Sequence, residues 1–154
     1  MNRKFYYAQS LVLFGGSLFS WTVLMGNFSQ FYSIYGTIFR FRDCYLLDNP
    51  MLTPCFYGAV AFVVALIWSL VLTFSAQSSA ASQKWLSRLL LFGVVFAISV
   101  LSYETAQYYK LFSGPGISCT PGAVPWKTPC FFGAIFFIVS FGISRAILNN
   151  KTQI

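Results

Sequence analysis

FYGAVAFVVALIWSLVLTF, residues 56–74, is a run of nineteen residues without a single charged side chain. About 20 largely apolar residues in a helix cross the roughly 30 Å hydrocarbon core of a bilayer. The run also lacks the alternation of polar and apolar residues that marks a barrel strand. It therefore predicts a transmembrane helix.

Three other stretches are long and apolar enough to span, at about residues 6–25, 86–109 and 131–148, although the second of these contains Arg88 and Glu104 and the third contains Arg145. Of the 154 residues in the chain, 57% are hydrophobic and only 8% are charged, whereas an ordinary soluble domain carries about 25% charged residues. So few ionisable side chains cannot cover a soluble core of this size, which excludes an ordinary cytosolic enzyme. We predict an all-α integral membrane protein, a bundle of four transmembrane helices.

The basic residues are distributed unevenly along the chain. The N-terminus, the middle loop and the C-terminus carry six of them and no acid: Arg3, Lys4, Lys84, Arg88, Arg145 and Lys151. The four basic residues of the other two connections are offset by Asp43, Asp48 and Glu104. Because Lys and Arg favour the cytoplasmic side, we expect a protein of the cell (inner) membrane with both termini cytoplasmic and these two loops periplasmic or extracellular. No basic cluster of the kind that binds nucleic acid is present.

One motif occurs twice. CYLLDNPMLTPCFYGA, residues 44–59, returns as CTPGAVPWKTPCFFGA, residues 119–134, with ten residues between the two cysteines in both copies. Upstream, SQFY at 29–32 matches AQYY at 106–109. Parallel internal repeats are known in membrane proteins. The sequence therefore predicts two tandem helical hairpins, residues 1–75 and 76–154, in the same orientation.

The repeated Thr-Pro pair predicts where two of the helices begin. Thr53 and Thr128 suit an N-cap, whose hydroxyl accepts a hydrogen bond from an early helical N–H. Pro54 and Pro129 suit the first helical position, where a missing N–H costs nothing. We expect the second and fourth helices to start abruptly at the outer interface.

All four cysteines of the chain lie in the loops that are predicted to face outward: Cys44, Cys55, Cys119 and Cys130. In an oxidising compartment paired cysteines form disulfides, and the repeat favours a bridge within each copy over the two other connectivities. The predicted bridges are Cys44–Cys55 and Cys119–Cys130. Each would contribute on the order of 3 kcal/mol by the loop-entropy model. A metal is not expected, because four-cysteine zinc sites use shorter spacings.

The layout of four spans with two outward cysteine pairs resembles the quinone-linked thiol oxidases and the vitamin K epoxide reductases. The resemblance implies that the four cysteines are redox-active and that a quinone is the cofactor. A cysteine in the first turn of a helix also favours the thiolate form. Those families carry a C-x-x-C pair, and this chain has none, so the resemblance covers the layout alone.

Glu104 is the only acid within or near a predicted span. An ionisable residue in a membrane is a functional candidate by default. Its position just before Tyr108 at the outer end of the third span predicts an interfacial location instead. There it would pair with one of the nearby basic residues, which are Arg40, Arg42 and Lys110.

Three function hypotheses follow. The favoured one is a non-enzymatic accessory or scaffold subunit of a larger membrane complex, without a cofactor, whose partners are the lipid bilayer and other membrane subunits. The chain has no His and three acids, so the commonest general base and metal ligand are missing. The alternative is a quinone-linked membrane thiol–disulfide oxidoreductase. The third is a small-molecule carrier with a polar cavity between the two repeats.

Overall fold

The computed structural model describes residues 3–38, 49–75, 80–111 and 124–152. Within these ranges the regular elements are all helical, and no strand is present. The four long helices are α1 (Arg3–Tyr35), α2 (Pro54–Phe74), α3 (Ala80–Tyr108) and α4 (Pro129–Thr152). Two short 3₁₀ turns precede α2 and α4, the first over Pro50–Leu52 and the second over Pro125–Lys127.

Each of the four helices is long and apolar enough to cross a membrane, which confirms the predicted number of spans. The first helix extends further than the predicted span. It continues ten residues beyond Met25 to Tyr35 and ends where Gly36 adopts a φ of 66°. At 1.5 Å per residue a helix of this length is about 50 Å long, so α1 exceeds the thickness of the hydrocarbon core.

The helices form an antiparallel ring in which each contacts the next, α4 contacts α1, and α2 meets α4 across the diagonal. Hydrogen bonds tie the start of α1 to the end of α2, because Ser10 Oγ lies 2.8 Å from Ser69 Oγ. The start of α3 is tied in the same way to the end of α4. The start of α1 and the end of α4 therefore lie at the same end of the bundle. The helices α2 and α4 begin at the opposite end.

Matching positions of α2 and α4 face the core. The buried residues of α2 are Ala59, Phe62, Ala65, Ser69 and Leu72. Those of α4 lie 75 positions later in every case: Ala134, Phe137, Ser140, Ser144 and Ile147. At the centre, the rings of Phe62 and Phe137 stack with their centroids 4.0 Å apart.

A layer of polar side chains crosses the bundle at the end where α1 and α3 begin. Gln83 Nε2 donates hydrogen bonds to Gln9 Oε1 at 3.1 Å and to Ser144 Oγ at 3.0 Å, and all three side chains are fully buried. Where water is absent, such hydrogen bonds between helices favour one arrangement of the bundle. The sequence did not predict this layer, because a lone Gln in an apolar run carries no periodic signal.

The outward faces of the helices are apolar as well. Leu11 and Phe74 are both 74% exposed, and Phe92 is 69% exposed. A water-soluble monomer rarely exposes apolar surface on this scale. Lipid as the surrounding medium accounts for it.

Candidate functional site

The site begins with the two junctions that position the cysteines. In the first junction, the Thr53 hydroxyl donates a 2.7 Å hydrogen bond to the Pro50 carbonyl. In the second, the Thr128 hydroxyl donates a 2.7 Å hydrogen bond to the Pro125 carbonyl. The helices α2 and α4 then begin directly at Pro54 and Pro129.

These hydrogen bonds differ from the predicted caps. Thr53 occupies the N-cap position of α2, but its side chain makes no capping hydrogen bond to the helix. The 3₁₀ turn immediately before it presents the Pro50 carbonyl within reach, and the single hydroxyl proton goes to that acceptor. The Thr53 carbonyl still accepts from the Phe56 N–H at 3.1 Å. The predicted role of this hydroxyl as an acceptor is therefore wrong.

The two junctions bring Cys55 and Cys130 together across the diagonal of the bundle. Their Sγ atoms lie 3.8 Å apart. A disulfide bond measures about 2.05 Å, so the two sulfurs are neighbours and are not bonded to each other. Cys44 and Cys119 lie outside the described residues, so the bridges to them stay predictions.

Glu104 lies beside this pair. Its side chain is 5% exposed, and its carboxyl group is adjacent to the Cys130 thiol. Arg40 and Arg42 lie outside the described residues. Lys110 lies on an exposed turn at the end of α3, with a φ of 57°. The carboxyl group thus faces the interior of the bundle at the cysteine end.

The position of Glu104 follows from the face of α3 on which it lies. Ala97, Val100 and Glu104 are spaced by three and four residues, so they share one side of the helix. Ala97 and Val100 line a cleft inside the bundle, and Glu104 continues the same face one turn outward. This spacing is visible in the sequence. Nothing there says which side of α3 meets α4.

The cleft encloses about 60 Å³, and all four helices contribute to its walls. That is less than the roughly 300–1,000 Å³ of a site for a drug-sized molecule, so the cleft as it stands has room for a small group only. Cys55 and Cys130 lie in the wall, and small residues such as Gly58, Ala97 and Gly133 leave the space open. The stacked aromatic pair at the bundle centre forms the floor, two helical turns or about 10 Å below the cysteines.

The cleft is apolar. Among the fifteen described residues that line it, Ser20 and the two cysteines are the ones with polar side-chain atoms. Within the described ranges, no group of three or more His, Cys, Asp or Glu side chains is arranged to hold a metal ion. Among the described residues at this end of the bundle, the sulfur pair and the neighbouring carboxyl group are the reactive groups of the cleft and its surroundings.

The arrangement suits the making and exchange of disulfides. Thiol–disulfide exchange proceeds when a thiolate attacks a disulfide sulfur, and here each sulfur lies near van der Waals contact with the other. The fold and the site together define a four-helix membrane protein with a sulfur pair in the wall of an apolar cleft. No protein family, curated protein or solved structure matches this chain, so its function is inferred from the geometry.

Proposed function

We propose that this protein is a thiol–disulfide oxidoreductase of the inner membrane that transfers electrons from cysteine thiols to a quinone held in the apolar cleft. This function is the alternative, second of the three that the sequence suggests. The observation that carries it is the 3.8 Å separation of Cys55 Sγ and Cys130 Sγ in the wall of that cleft.

The cleft has the chemistry that a flat, lipid-soluble ring requires. Its walls are apolar, and aromatic rings at Phe19, Phe96 and the stacked pair line it. The enclosed volume is about 60 Å³, so the helices would have to move apart to admit a whole ring, and both sulfurs adjoin the space that would then open. A bound quinone would accept two electrons and two protons and become a hydroquinone.

The cysteines supply those electrons and protons. When both are reduced, Cys55 and Cys130 each release a proton and together release two electrons, and one S–S bond forms between them. The sulfurs need to approach by less than 2 Å to reach the bonded distance of about 2.05 Å. We propose that exchange with Cys44 and Cys119 then carries the oxidation to the outer loops.

We also propose that the chain consists of two tandem helical hairpin repeats. It is supported by the 75-residue offset between the buried positions of α2 and α4. The equal hydrogen bonds of Thr53 and Thr128 support it too. A tandem origin explains why two cysteines meet near the centre of the bundle, since both copies would place them equally far from a shared axis.

The proposal also places the cysteine end outside the cell and both termini in the cytoplasm. The supporting observation is charge. Lys4, Lys84, Arg88 and Arg145 belong to the end of the bundle opposite the cysteines. Arg88 Cζ lies 4.9 Å from the centre of the Trp85 ring, a pairing suited to the membrane interface.

The test is quinone reduction by the purified chain in lipid nanodiscs, with dithiothreitol as the electron donor and a short-chain ubiquinone as the acceptor. Loss of quinone absorbance is measured. Cys55→Ser and Cys130→Ser are each expected to lower the rate at least about 100-fold, since each removes one sulfur of the reacting pair. A wild-type rate no higher than that of the double variant would exclude the proposal.

A second variant tests whether the cleft is needed for quinone reduction when both cysteines are intact. Gly58→Leu places a large side chain in the cleft, where glycine has no atom within 4 Å of its missing Cβ. It is expected to stop quinone reduction while diamide still oxidises Cys55 and Cys130 to a disulfide. The matched control is Gly142→Leu, because Gly142 lies on an exposed face of α4 with equally open surroundings.

The accessory or scaffold subunit remains the second candidate, and a specific observation favours it. The two cysteine-bearing junctions have the same structure: Pro50 and Pro125 are buried, and the carbonyl of each accepts a hydrogen bond from a buried Thr. Such a platform suits contact with other membrane subunits. It predicts that the cysteines stay oxidised across strong redox changes and that the chain copurifies with partners in a gentle detergent.

A further inference from the structure

Two glutamine side chains meet inside the bundle at the end opposite the cysteines. Gln9 lies on α1 and Gln83 on α3, and these helices face each other across the other diagonal of the ring. Both side chains are fully buried. Gln83 Nε2 donates to Gln9 Oε1 at 3.1 Å and to Ser144 Oγ at 3.0 Å. One polar atom of each amide group is therefore hydrogen-bonded within the polar layer.

The second polar atom of each amide group has no hydrogen-bond partner among the residues that the structure describes. These atoms are Gln9 Nε2, a donor, and Gln83 Oε1, an acceptor. Reversing both amides would not pair them, because the Gln83 amino group and the Gln9 carbonyl oxygen would then be left instead. Either way one donor group and one acceptor remain, and burying such groups without a hydrogen bond is costly.

Ser140 adds a third polar atom of this kind. Its hydroxyl is fully buried and has no hydrogen-bond partner within the described ranges. A hydroxyl within a helix often donates to the carbonyl four residues earlier, as those of Thr73 and Thr105 do, whereas the hydroxyl of Ser140 does not. Ser140 precedes Ser144 by four residues, so it lies on the same face of α4, one turn nearer the centre of the bundle.

We propose that Gln9 and Gln83 bind one water molecule inside the polar layer and that Ser140 is the third partner of this water. Gln9 Nε2 donates to the water oxygen, and the water donates to Gln83 Oε1 and to Ser140 Oγ. Buried waters typically make about three hydrogen bonds, to polar groups that would otherwise be unsatisfied. The site lies at the end of the bundle opposite the cysteines, so the inference does not depend on the proposed function.

The chemistry of the three atoms selects water over other ligands. The ligand has to accept from an amide N–H and donate to an amide oxygen, and water does both. An ion is disfavoured, because the side chains that form the site are uncharged amides and hydroxyls, and a buried charge without a partner of opposite sign is costly. The ligand also has to be small, since the two amide groups are already joined by a hydrogen bond of 3.1 Å.

The experiment is a water-selective NMR measurement on the full chain in detergent micelles, with isotope labels at glutamine and leucine. Magnetisation that passes from water to the Gln9 Nε2 protons is recorded in the laboratory frame and in the rotating frame. A bound water gives cross-peaks of opposite sign in the two frames, whereas chemical exchange gives the same sign in both. The internal control is Leu90, which is fully buried and lies about 10 Å from Gln83 along α3.

Cross-peaks of opposite sign are expected at Gln9, and no transfer is expected at the Leu90 methyl groups. Three results would overturn the inference: no transfer to Gln9, transfer by exchange alone, or equal transfer to Leu90. The last of these would mean that water enters the bundle without a specific site. Because this measurement uses the unaltered chain, it decides the inference even if a variant fails to fold.

A matched pair of variants then tests the third partner. Ser140→Ala leaves the hydrogen bond between the two glutamines in place, and the Gln9 cross-peak is expected to lose intensity because the water keeps only two hydrogen bonds. The control is Ser69→Ala, since Ser69 is equally buried but lies 2.8 Å from Ser10 Oγ in a different cluster. It is expected to leave the cross-peak unchanged. Equal losses in both variants, or no loss in Ser140→Ala, would overturn the assignment of Ser140.

Discussion

The Cβ atom that Gly16 lacks would lie 2.7 Å from Cε1 of the Phe62 ring. Phe62 reaches the centre of the bundle because glycine leaves that space empty. Gly93 stands in the same relation to Phe137, with a separation of 2.6 Å. The stacked aromatic pair that forms the floor of the cleft therefore depends on one glycine from α1 and one from α3.

Substitution of either glycine is expected to destabilise the bundle. Gly16→Ala or Gly93→Ala forces a ring out of the stack, and overpacking of this kind costs typically about 1–3 kcal/mol. The measurement is the free energy of unfolding in mixed micelles. Gly26→Ala and Gly142→Ala are the controls, because nothing lies within 4 Å of a Cβ at either position. Equal effects at all four positions would show that the rings move aside freely.

The polar layer predicts that the loss of stability on replacing Gln83 depends on whether its hydrogen-bond partner Gln9 is replaced as well. Gln83→Leu removes two hydrogen bonds to buried groups on α1 and α4. Interhelical hydrogen bonds in membranes average about 0.6 kcal/mol, so a loss of about 1 kcal/mol or more is expected. Gln9→Leu together with Gln83→Leu should recover much of it, since replacing both partners by apolar groups can be nearly neutral. If the double variant loses as much unfolding free energy as the two single variants added together, Gln9 and Gln83 are not hydrogen-bonded to each other.

The sulfur geometry predicts a direct cross-link. With Cys44→Ser and Cys119→Ser, mild oxidation is expected to join Cys55 to Cys130, because their Sγ atoms already lie 3.8 Å apart. Cleavage of the chain between α2 and α3 followed by non-reducing electrophoresis detects the bond. The control adds Cys55→Ser and Val60→Cys, which moves the sulfur to an exposed position of α2. Joining at equal rates in both variants would contradict the observed geometry.

Replacing either of the junction threonines, Thr53 or Thr128, is expected to lower the free energy of unfolding by about the same amount. Thr53→Val and Thr128→Val each remove one buried 2.7 Å hydrogen bond to a proline carbonyl. A typical hydrogen bond contributes about 1 kcal/mol, and similar losses of unfolding free energy are expected at the two sites. Thr22→Val is the control, because its hydroxyl bonds an exposed carbonyl of its own helix. A large loss at one junction alone would show that the two are not equivalent in energy.

The number and position of the helices could be predicted from the sequence, because both depend on local properties. Length and hydropathy identify a span without reference to its neighbours, and the Thr-Pro pairs mark the residues at which α2 and α4 begin. Residues 26–39 are too polar for the hydrocarbon core, so the sequence predicted either that they continue the first helix above the bilayer or that they lie along the interface. The helix does continue, as far as Tyr35.

The tertiary structure alone decided which faces of the helices meet. In lipid, the outward side chains are as apolar as the buried ones, so periodicity does not reveal how each helix is rotated about its axis. The contact of Glu104 with Cys130, the approach of Cys55 to Cys130 and the cleft beneath them all depend on that rotation. The sequence determined which residues lie at the cysteine end of the bundle, because it fixes where each helix begins and ends, and packing determined which of them touch.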